Sequence, residues 1–331
     1  MTIAISGTTG ITLDGQFNSA SSMGFKNRII NGQMQIAQRA TSATITAGST
    51  IAAGYSTVDR FYVYCTGANV TAAQVAGSGA TKNRLQITGA ASVTAVGIGQ
   101  RIEQLNSYDM AGSTATLSVD ISNSLLTTVT WTASYATTTA DTFGTLASPT
   151  VTQIATGTFT VTSTLTRYNT QISIPAAATT GLQIVFTVGA QTSGTWVVGN
   201  IQLEKGSTAT SFDYRPYTTE LQLCQRYCFK LTATAIDQPW CNAVAYNGVN
   251  AFGVLPYPVT MRATPTITFS AVTVLRALGN GTGLTATNST QGGATPNASE
   301  LVGTYAAITQ GYAYWFRSSA NGDWILGTVE L

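Results

Sequence analysis

The sequence predicts an all-β protein. The expected layout is a jelly-roll β-sandwich, then a smaller C-terminal β-sandwich, joined by a short helix and preceded by an N-terminal extended arm. Three observations predict it. Apolar residues alternate with Thr and Ser over long stretches. Strand-like runs recur about every 10 to 20 residues, with Gly, Ser, Asn and Pro between them. Only 8% of the 331 residues are charged and none is His, so the chain stays soluble through hydroxyls instead of charge.

The elements follow in chain order. Residues 1–24 form the arm, with Ile3, Ile5, Ile11 and Leu13 alternating with small polar residues. So short a segment makes no core alone, and a free terminus frays, so docking on another chain is expected. Residues 25–215 carry the first sandwich. Leu117, Val119 and Ile121 alternate, as do Val129, Trp131, Ala133 and Tyr135, then Phe159, Val161 and Leu165, and Ile172 with Ile174. Their intervening residues are largely Thr and Ser, whose Thr β-branch favours extended backbone. Leu182 to Val188 is nearly continuous in apolar residues and reads as a central strand.

Residues 216–232 form the expected helical connector. Pro216 suits a first helical position, Thr218 or Thr219 a cap, and Glu220 the first turn. Leu221, Cys224 and Cys228 would share its face. Residues 233–331 make the second sandwich. Within it, 279–298 reads as a long Gly/Asn/Thr-rich loop. The end reads as a hairpin, with strand 311–318, an Asn321-Gly322 turn and strand 324–330.

Composition excludes several functions. Without His, the commonest general acid/base and the commonest transition-metal ligand are missing, and a Ser-His-Asp relay is impossible. The net charge is +2 without charged runs, which argues against nucleic acid. No apolar run is long enough for membrane insertion. Cys65, Cys224, Cys228 and Cys241 read as reduced, partly buried thiols. The 13 carboxylates show no close pairing; Asp109, Asp120 and Asp141 flank strands and read as turn residues, not as the placed pair a glycan-cleaving enzyme needs. No catalytic residue is assigned.

A series of segments appears in one order: NRIINGQMQIAQR (27–39), TVDRF (57–61), IGQRIEQL (98–105), RYNTQISIP (167–175), GNIQLEKGSTATSFDYRPYTTELQLCQRYC (199–228) and PVTMRATPTIT (258–268). The series resembles tailed-bacteriophage virion fibre proteins with a carbohydrate-binding-module-like jelly roll. It covers about 25–268, and 199–228 is its most specific stretch. The resemblance implies a non-catalytic tail fibre or related receptor-binding structural protein, located in the virion after assembly in the host cytoplasm. Its implied partners are two further copies in a homotrimer, other virion proteins through residues 1–24, and host surface polysaccharide or lipopolysaccharide. A capsid-decoration or baseplate component without its own receptor is the rival, and a glycan depolymerase a more distant one.

Sugar-binding jelly rolls often hold a structural calcium where their first and last strands meet. Asn31, Gly32, Glu204 and Asp213 belong to those segments here and supply oxygens. Ordinary turn hydrogen bonding is the favoured reading, so no cofactor is expected. Asp59, Arg60, Arg101 and Glu103 are the densest charges and read as buried structural pairs; Arg226 is expected to pin the two domains together. Glycan binding is assigned to aromatics and amides of the C-terminal block: Trp240, Asn242, Tyr246, Trp315, Arg317 and Trp324. Tyr312, Tyr314 and Phe316 share one strand face, and Trp315 and Arg317 the other; one set must be core, and if the first packs inward, Trp315, Arg317 and Trp324 face outward.

Overall fold

The computed structural model describes residues 3–6, 10–13, 25–48, 54–145, 148–279 and 282–331. Of the arm, it describes strand β1 (Ile3–Ser6) paired antiparallel with β2 (Gly10–Leu13), Ile5 opposite Ile11. The remaining arm residues lie outside the described residues, and the docking expected of residues 1–24 is not tested by this pairing. The chain divides into two compact units, residues 1–216 with Leu331, and residues 217–330.

The first unit is an antiparallel two-sheet sandwich of jelly-roll type. Its strands are β3 (Ser42–Ile45), β4 (Tyr62–Thr66), β5 (Val70–Ala76), β6 (Asn83–Thr88), β7 (Ala95–Ile102), β8 (Thr114–Asn123), β9 (Thr128–Ala136), β10 (Val151–Thr160), β11 (Thr166–Ser173), β12 (Leu182–Val188) and β13 (Thr195–Lys205). One sheet has the order β10-β9-β12-β7-β4, the other β11-β8-β13-β6-β5-β3. Side chains alternate between faces along a strand. Val96, Ile98, Trp131 and Phe186 of the first sheet therefore share a core with Leu85, Leu117, Ile121 and Trp196 of the second. The central position expected for Leu182–Val188 is met, because β12 is flanked by β9 and β7. A single helical turn, α1 (Gln104–Ser107), follows β7.

The second unit opens with helix α2 (Tyr217–Gln225), directly after Pro216. Cys224 is buried on it. The expected connector ends sooner than the sequence suggests. Residues 228–232 leave the helix and form β14 (Cys228–Thr232), so Cys228 sits on a strand and not on the helix face with Leu221. Phe229 is the physical reason: as a strand residue it reaches the core, where it is 1% exposed. The strands that follow are β15 (Pro239–Ala245), β16 (Asn250–Pro256), β17 (Thr266–Phe269), β18 (Arg276–Gly279), β19 (Thr282–Thr285), β20 (Asn288–Ala294), β21 (Ala298–Thr304), β22 (Ala313–Arg317) and β23 (Trp324–Thr328). They build a three-stranded sheet, β14-β23-β17, and a seven-stranded one, β19-β18-β22-β15-β16-β21-β20. Phe229, Ile267 and Ile325 from the small sheet share a core with Ala243, Leu301, Tyr314 and Phe316 from the large one.

Two expectations are corrected here. The stretch 279–298 is not one long loop: β19 and β20 occupy most of it, as the two edge strands of the large sheet. Edge strands bury little, so their Gly, Asn and Thr hide the strand signal that apolar alternation would provide. The C-terminal hairpin is also absent. β22 pairs with β15 and β18, whereas β23 pairs with β14 and β17, so the 318–323 segment crosses from one sheet to the other. Asp323 shapes this crossing. Its Oδ2 accepts from Ser319 N at 2.8 Å, Ser319 Oγ at 2.9 Å and Ala320 N at 2.8 Å, and its Oδ1 from Ser270 Oγ at 3.2 Å. Gly322 takes the φ of 84° that the bend requires.

Candidate functional site: an aromatic groove on the seven-stranded sheet

The outer face of the large sheet is where exposed aromatic side chains gather. Along β15, Ala243 and Ala245 point into the core, so Asn242 and Val244 point out. Pairing then sets their neighbours. Asn242 stands opposite Trp315 of β22, Val244 opposite Phe252 of β16, and beyond these Val254 opposite Glu300 of β21. A β-bulge between Pro239 and Cys241 inserts Trp240 as an extra residue. Bulges re-aim a side chain without breaking the sheet, and Trp240 here forms part of the groove wall.

The groove is open and has a volume of about 730 Å³, lined by Trp240, Asn242, Val244, Phe252, Val254 and Glu300 among others. Gly253 stands opposite the inward Ala243 on the core side of the same strands: a Cβ there would press on Asn242 O at 2.6 Å, Cys241 Sγ at 2.8 Å and the buried Phe316 ring at 3.1 Å. On the adjoining strand Trp315 is 53% exposed. The Arg317 guanidinium carbon lies 4.7 Å from its ring centroid, and Arg317 Nη1 donates to Asp237 O at 3.0 Å, which fixes the guanidinium over the indole. Tyr246 is 69% exposed in the turn after β15. Its ring meets Phe252 edge-on, 5.4 Å between centroids at 88°. Glu300 Oε2 accepts from Gly293 N at 3.2 Å. Under the sheet, burial pushes the Cys241 thiol up to about 12.

Such a face offers flat apolar rings together with the Asn242 amide, the Glu300 carboxylate and the Arg317 guanidinium, which stands opposite Arg276 of the next strand. The rings cover C–H surface, and the polar groups meet hydroxyls.

Of the residues assigned from sequence, Trp240 and Asn242 line the groove, Trp315 and Arg317 border it, and Tyr246 reaches it through Phe252. Trp324 stands apart. It belongs to β23 in the three-stranded sheet, with Lys230 Nζ 5.2 Å over its ring, and so it is not part of this face. Of the two facings the sequence leaves open for the last aromatics, the structure takes the one in which Tyr314 and Phe316 are buried and Trp315 is exposed. Tyr312 departs from it: it precedes the strand and is exposed. Sequence reasoning missed Val244, Phe252, Val254 and Glu300. Alternation in NAFGVLP already puts Phe252 and Val254 on one face; what was lacking was the neighbour relation to β15.

The charges singled out in the first unit are deeply buried. Asp59, Arg60, Arg101 and Glu103 are each at most 4% exposed. Asp59 accepts from Gln38 N at 3.0 Å and Gln38 Nε2 at 2.6 Å. Arg60 Nη2 donates to Arg101 O at 2.7 Å. Arg101 donates from Nε to Gln183 Oε1 at 2.8 Å and from Nη1 to Gly144 O at 2.9 Å, with the Tyr62 and Phe143 rings 5.6 and 5.3 Å from its guanidinium. The Glu103 carbonyl accepts from Asn106 N and Ser107 Oγ, both at 3.0 Å. Arg226 lies in the second unit, its carbonyl accepting from Arg262 N at 3.0 Å.

Among the calcium candidates, Asn31 spends its amide on Ile36 O, Asp59 O, Gln35 N and Ile36 N. Glu204 accepts from Gln202 Nε2, Thr210 N and Thr210 Oγ1, and Asp213 from Asn27 N. Among the described residues no group of three or more His, Cys, Asp or Glu is placed to hold a metal. Asp109 pairs with Arg28 at 2.8 Å, and Asp141 Oδ1 accepts from Gln104 N at 2.7 Å. The four cysteines are thiols, three buried and Cys241 half-buried.

No protein-family model and no curated protein matches the chain. Among solved structures it is similar to a CBM4 module, at 14% identity and a TM-score of 0.34, over 53% of this chain and 98% of that one. It is similar to TmCBM61 in complex with β-1,4-galactotriose, at 10% identity and a TM-score of 0.33, over 55% of this chain and 100% of that one. It is also similar to the enzymatically active domain of bacteriophage CBA120 tailspike protein 4, at 15% identity and a TM-score of 0.33, over 55% of this chain and 22% of that one.

Proposed function

We propose that this protein is a non-catalytic receptor-binding component of a bacteriophage virion, a tail fibre or its equivalent, which attaches to host surface glycan. The observation that carries the glycan reading is the outer face of the large sheet. There Trp315, held by Arg317, adjoins an open groove that joins aromatic walls to Asn242 and Glu300. Exposed apolar area gathered on one face marks a binding surface. The virion role is supported by the ordered motif series of residues 27–268, above all 199–228. A single shallow groove binds weakly. A homotrimer would present three, and linked sites raise the effective concentration of each for the others.

The test uses the full chain on an array of bacterial surface polysaccharides and lipopolysaccharides. The reading expects binding to at least one of them, weakened about tenfold or more by Trp315→Ala. Absence of binding to every glycan, or binding that Trp315→Ala leaves intact, overturns it.

A further inference from the structure

We infer that the first unit holds a separate binding site, the cleft between Arg167 and the Phe212–Tyr214 pair, and that it takes a carboxylate-bearing saccharide. The cleft lies on the outer side of the six-stranded sheet. It has a volume of about 390 Å³, and its lining includes Asp120, Thr166, Arg167, Asn200, Phe212 and Tyr214. That volume falls within the usual span of small-ligand pockets.

Its electrostatics follow from the strand register. Asp120 of β8 stands opposite Arg167 of β11 on one side and Gly199 of β13 on the other. Gly199 has no side chain, and a Cβ there would collide with Arg84. Arg84 of β6 therefore crosses β13 and reaches Asp120 Oδ2 at 3.2 Å. Arg167 Nη1 takes Oδ1 at 3.0 Å, and Asn200 Nδ2 adds a bond to Oδ2 at 2.8 Å. Asn200 reaches it from a backbone φ of 47°, at the irregularity of β13. Both carboxylate oxygens are thus occupied, and two guanidinium groups face one carboxylate. The cluster keeps one positive charge in excess.

That excess has an address. Arg167 Nη2 is buried and has no hydrogen-bond partner, and Arg84 Nε is in the same position. Arg84 is only 4% exposed, whereas the Arg167 side chain keeps 31% exposure and lines the cleft. A buried donor without a partner is costly, and a guanidinium edge matches a carboxylate in geometry and charge. The opposite wall is aromatic and fixed. Phe212 and Tyr214 pack edge to face, with centroids 4.9 Å apart at 75°, and the Tyr214 hydroxyl lies 3.3 Å from Thr81 Oγ1. Tyr214 remains 46% exposed. An occupant therefore needs a single negative charge for Arg167 and a ring face for Tyr214. A sugar acid offers both. A phosphate monoester brings more charge than the single excess, and an acidic side chain of a peptide brings no ring of its own.

The experiment is calorimetric titration of the full chain with trigalacturonate, with galactotriose as the neutral match and triglutamate as the acidic peptide. Trigalacturonate is expected to bind, to weaken as salt rises from about 0.05 to about 0.5 M, and to weaken about tenfold or more in Arg167→Gln. Trp315→Ala is expected to leave it unchanged, which separates this site from the groove of the second unit. Should Arg167→Gln lower the melting temperature enough to unfold the unit, Tyr214→Ala, at the rim, gives the same reading in its place. Equal affinity for galactotriose or triglutamate, insensitivity to the variant that folds, or no binding of trigalacturonate at about 10 mM overturns the inference.

Discussion

Arg317 holds its guanidinium carbon 4.7 Å above the ring of Trp315, which stands opposite Asn242 of β15. The pair is half-exposed, so it adds little to stability and is available to a ligand. A cation over an indole at such a site contributes roughly 0.5–1 kcal/mol. Arg317→Lys is therefore expected to keep most glycan binding, and Arg317→Ala to lose part of it through a less fixed indole. In both, the thermal midpoint should stay close to that of the parent. Array signal and differential scanning calorimetry on the same samples check this; a large fall in midpoint would show that the pair serves the fold.

Arg101 is the opposite case. It is 1% exposed and bonded to Gln183 and to the Gly144 carbonyl, with Tyr62 and Phe143 against its guanidinium. Arg101→Ala leaves those acceptors buried and unpaired, and removing one partner of a buried charged network costs about 3–5 kcal/mol. Urea denaturation of the variant should show a correspondingly lower midpoint. A change within about 0.5 kcal/mol, typical of a surface site, would refute the structural role.

Two glycines of β7 test the packing beside it. A Cβ on Gly99 would run into the buried Tyr62 ring, and one on Gly97 into the half-buried Tyr64 ring. Tyr62 has nowhere to go, while Tyr64 can swing toward solvent. Gly99→Ala is expected to cost about 1–3 kcal/mol as overpacking, and Gly97→Ala clearly less. Equal midpoints for the two variants in denaturant would contradict this order.

Alkali should destabilise the second unit through Cys241. Its thiol is raised from 9.0 to about 12 by burial. Between those values the unfolded chain has lost the proton and the folded one keeps it, so stability falls as pH rises. The contribution is fully present below pH 9.0 and is lost as pH climbs through about 12. Tyr305, also raised by burial and by the neighbouring Cys241, acts in the same direction. Denaturation midpoints measured in steps from pH 8 upward (about one unit each) should decline, and less steeply in Cys241→Ala. A flat profile in the parent protein would rule this out.

Much of this was legible along the chain. Alternation alone puts Tyr314 and Phe316 on one face and Trp315 on the other; that the first face is the inward one is set by the structure. The sparse charges Asp59, Arg60 and Arg101 stand out in the sequence because the chain keeps so few, and all three are buried. The edge strands β19 and β20 were not legible, because they bury little and so carry no apolar rhythm.

What the sequence by itself determined is the face each residue takes on its own strand, because the backbone pleat repeats every two residues whatever lies beside it. Which strands become neighbours was decided only in the tertiary structure. Trp315 and Trp324 are nine positions apart and look like two sides of one hairpin, yet they lie in different sheets. The bonds and contacts that decide this come from distant residues: Asp323 ties the bend to Ser270, and β15 claims β22 from about seventy residues upstream. Backbone hydrogen bonding is the same for every residue type, so pairing leaves no local mark. The groove that joins Asn242, Phe252 and Glu300 exists only once β15, β16 and β21 lie side by side.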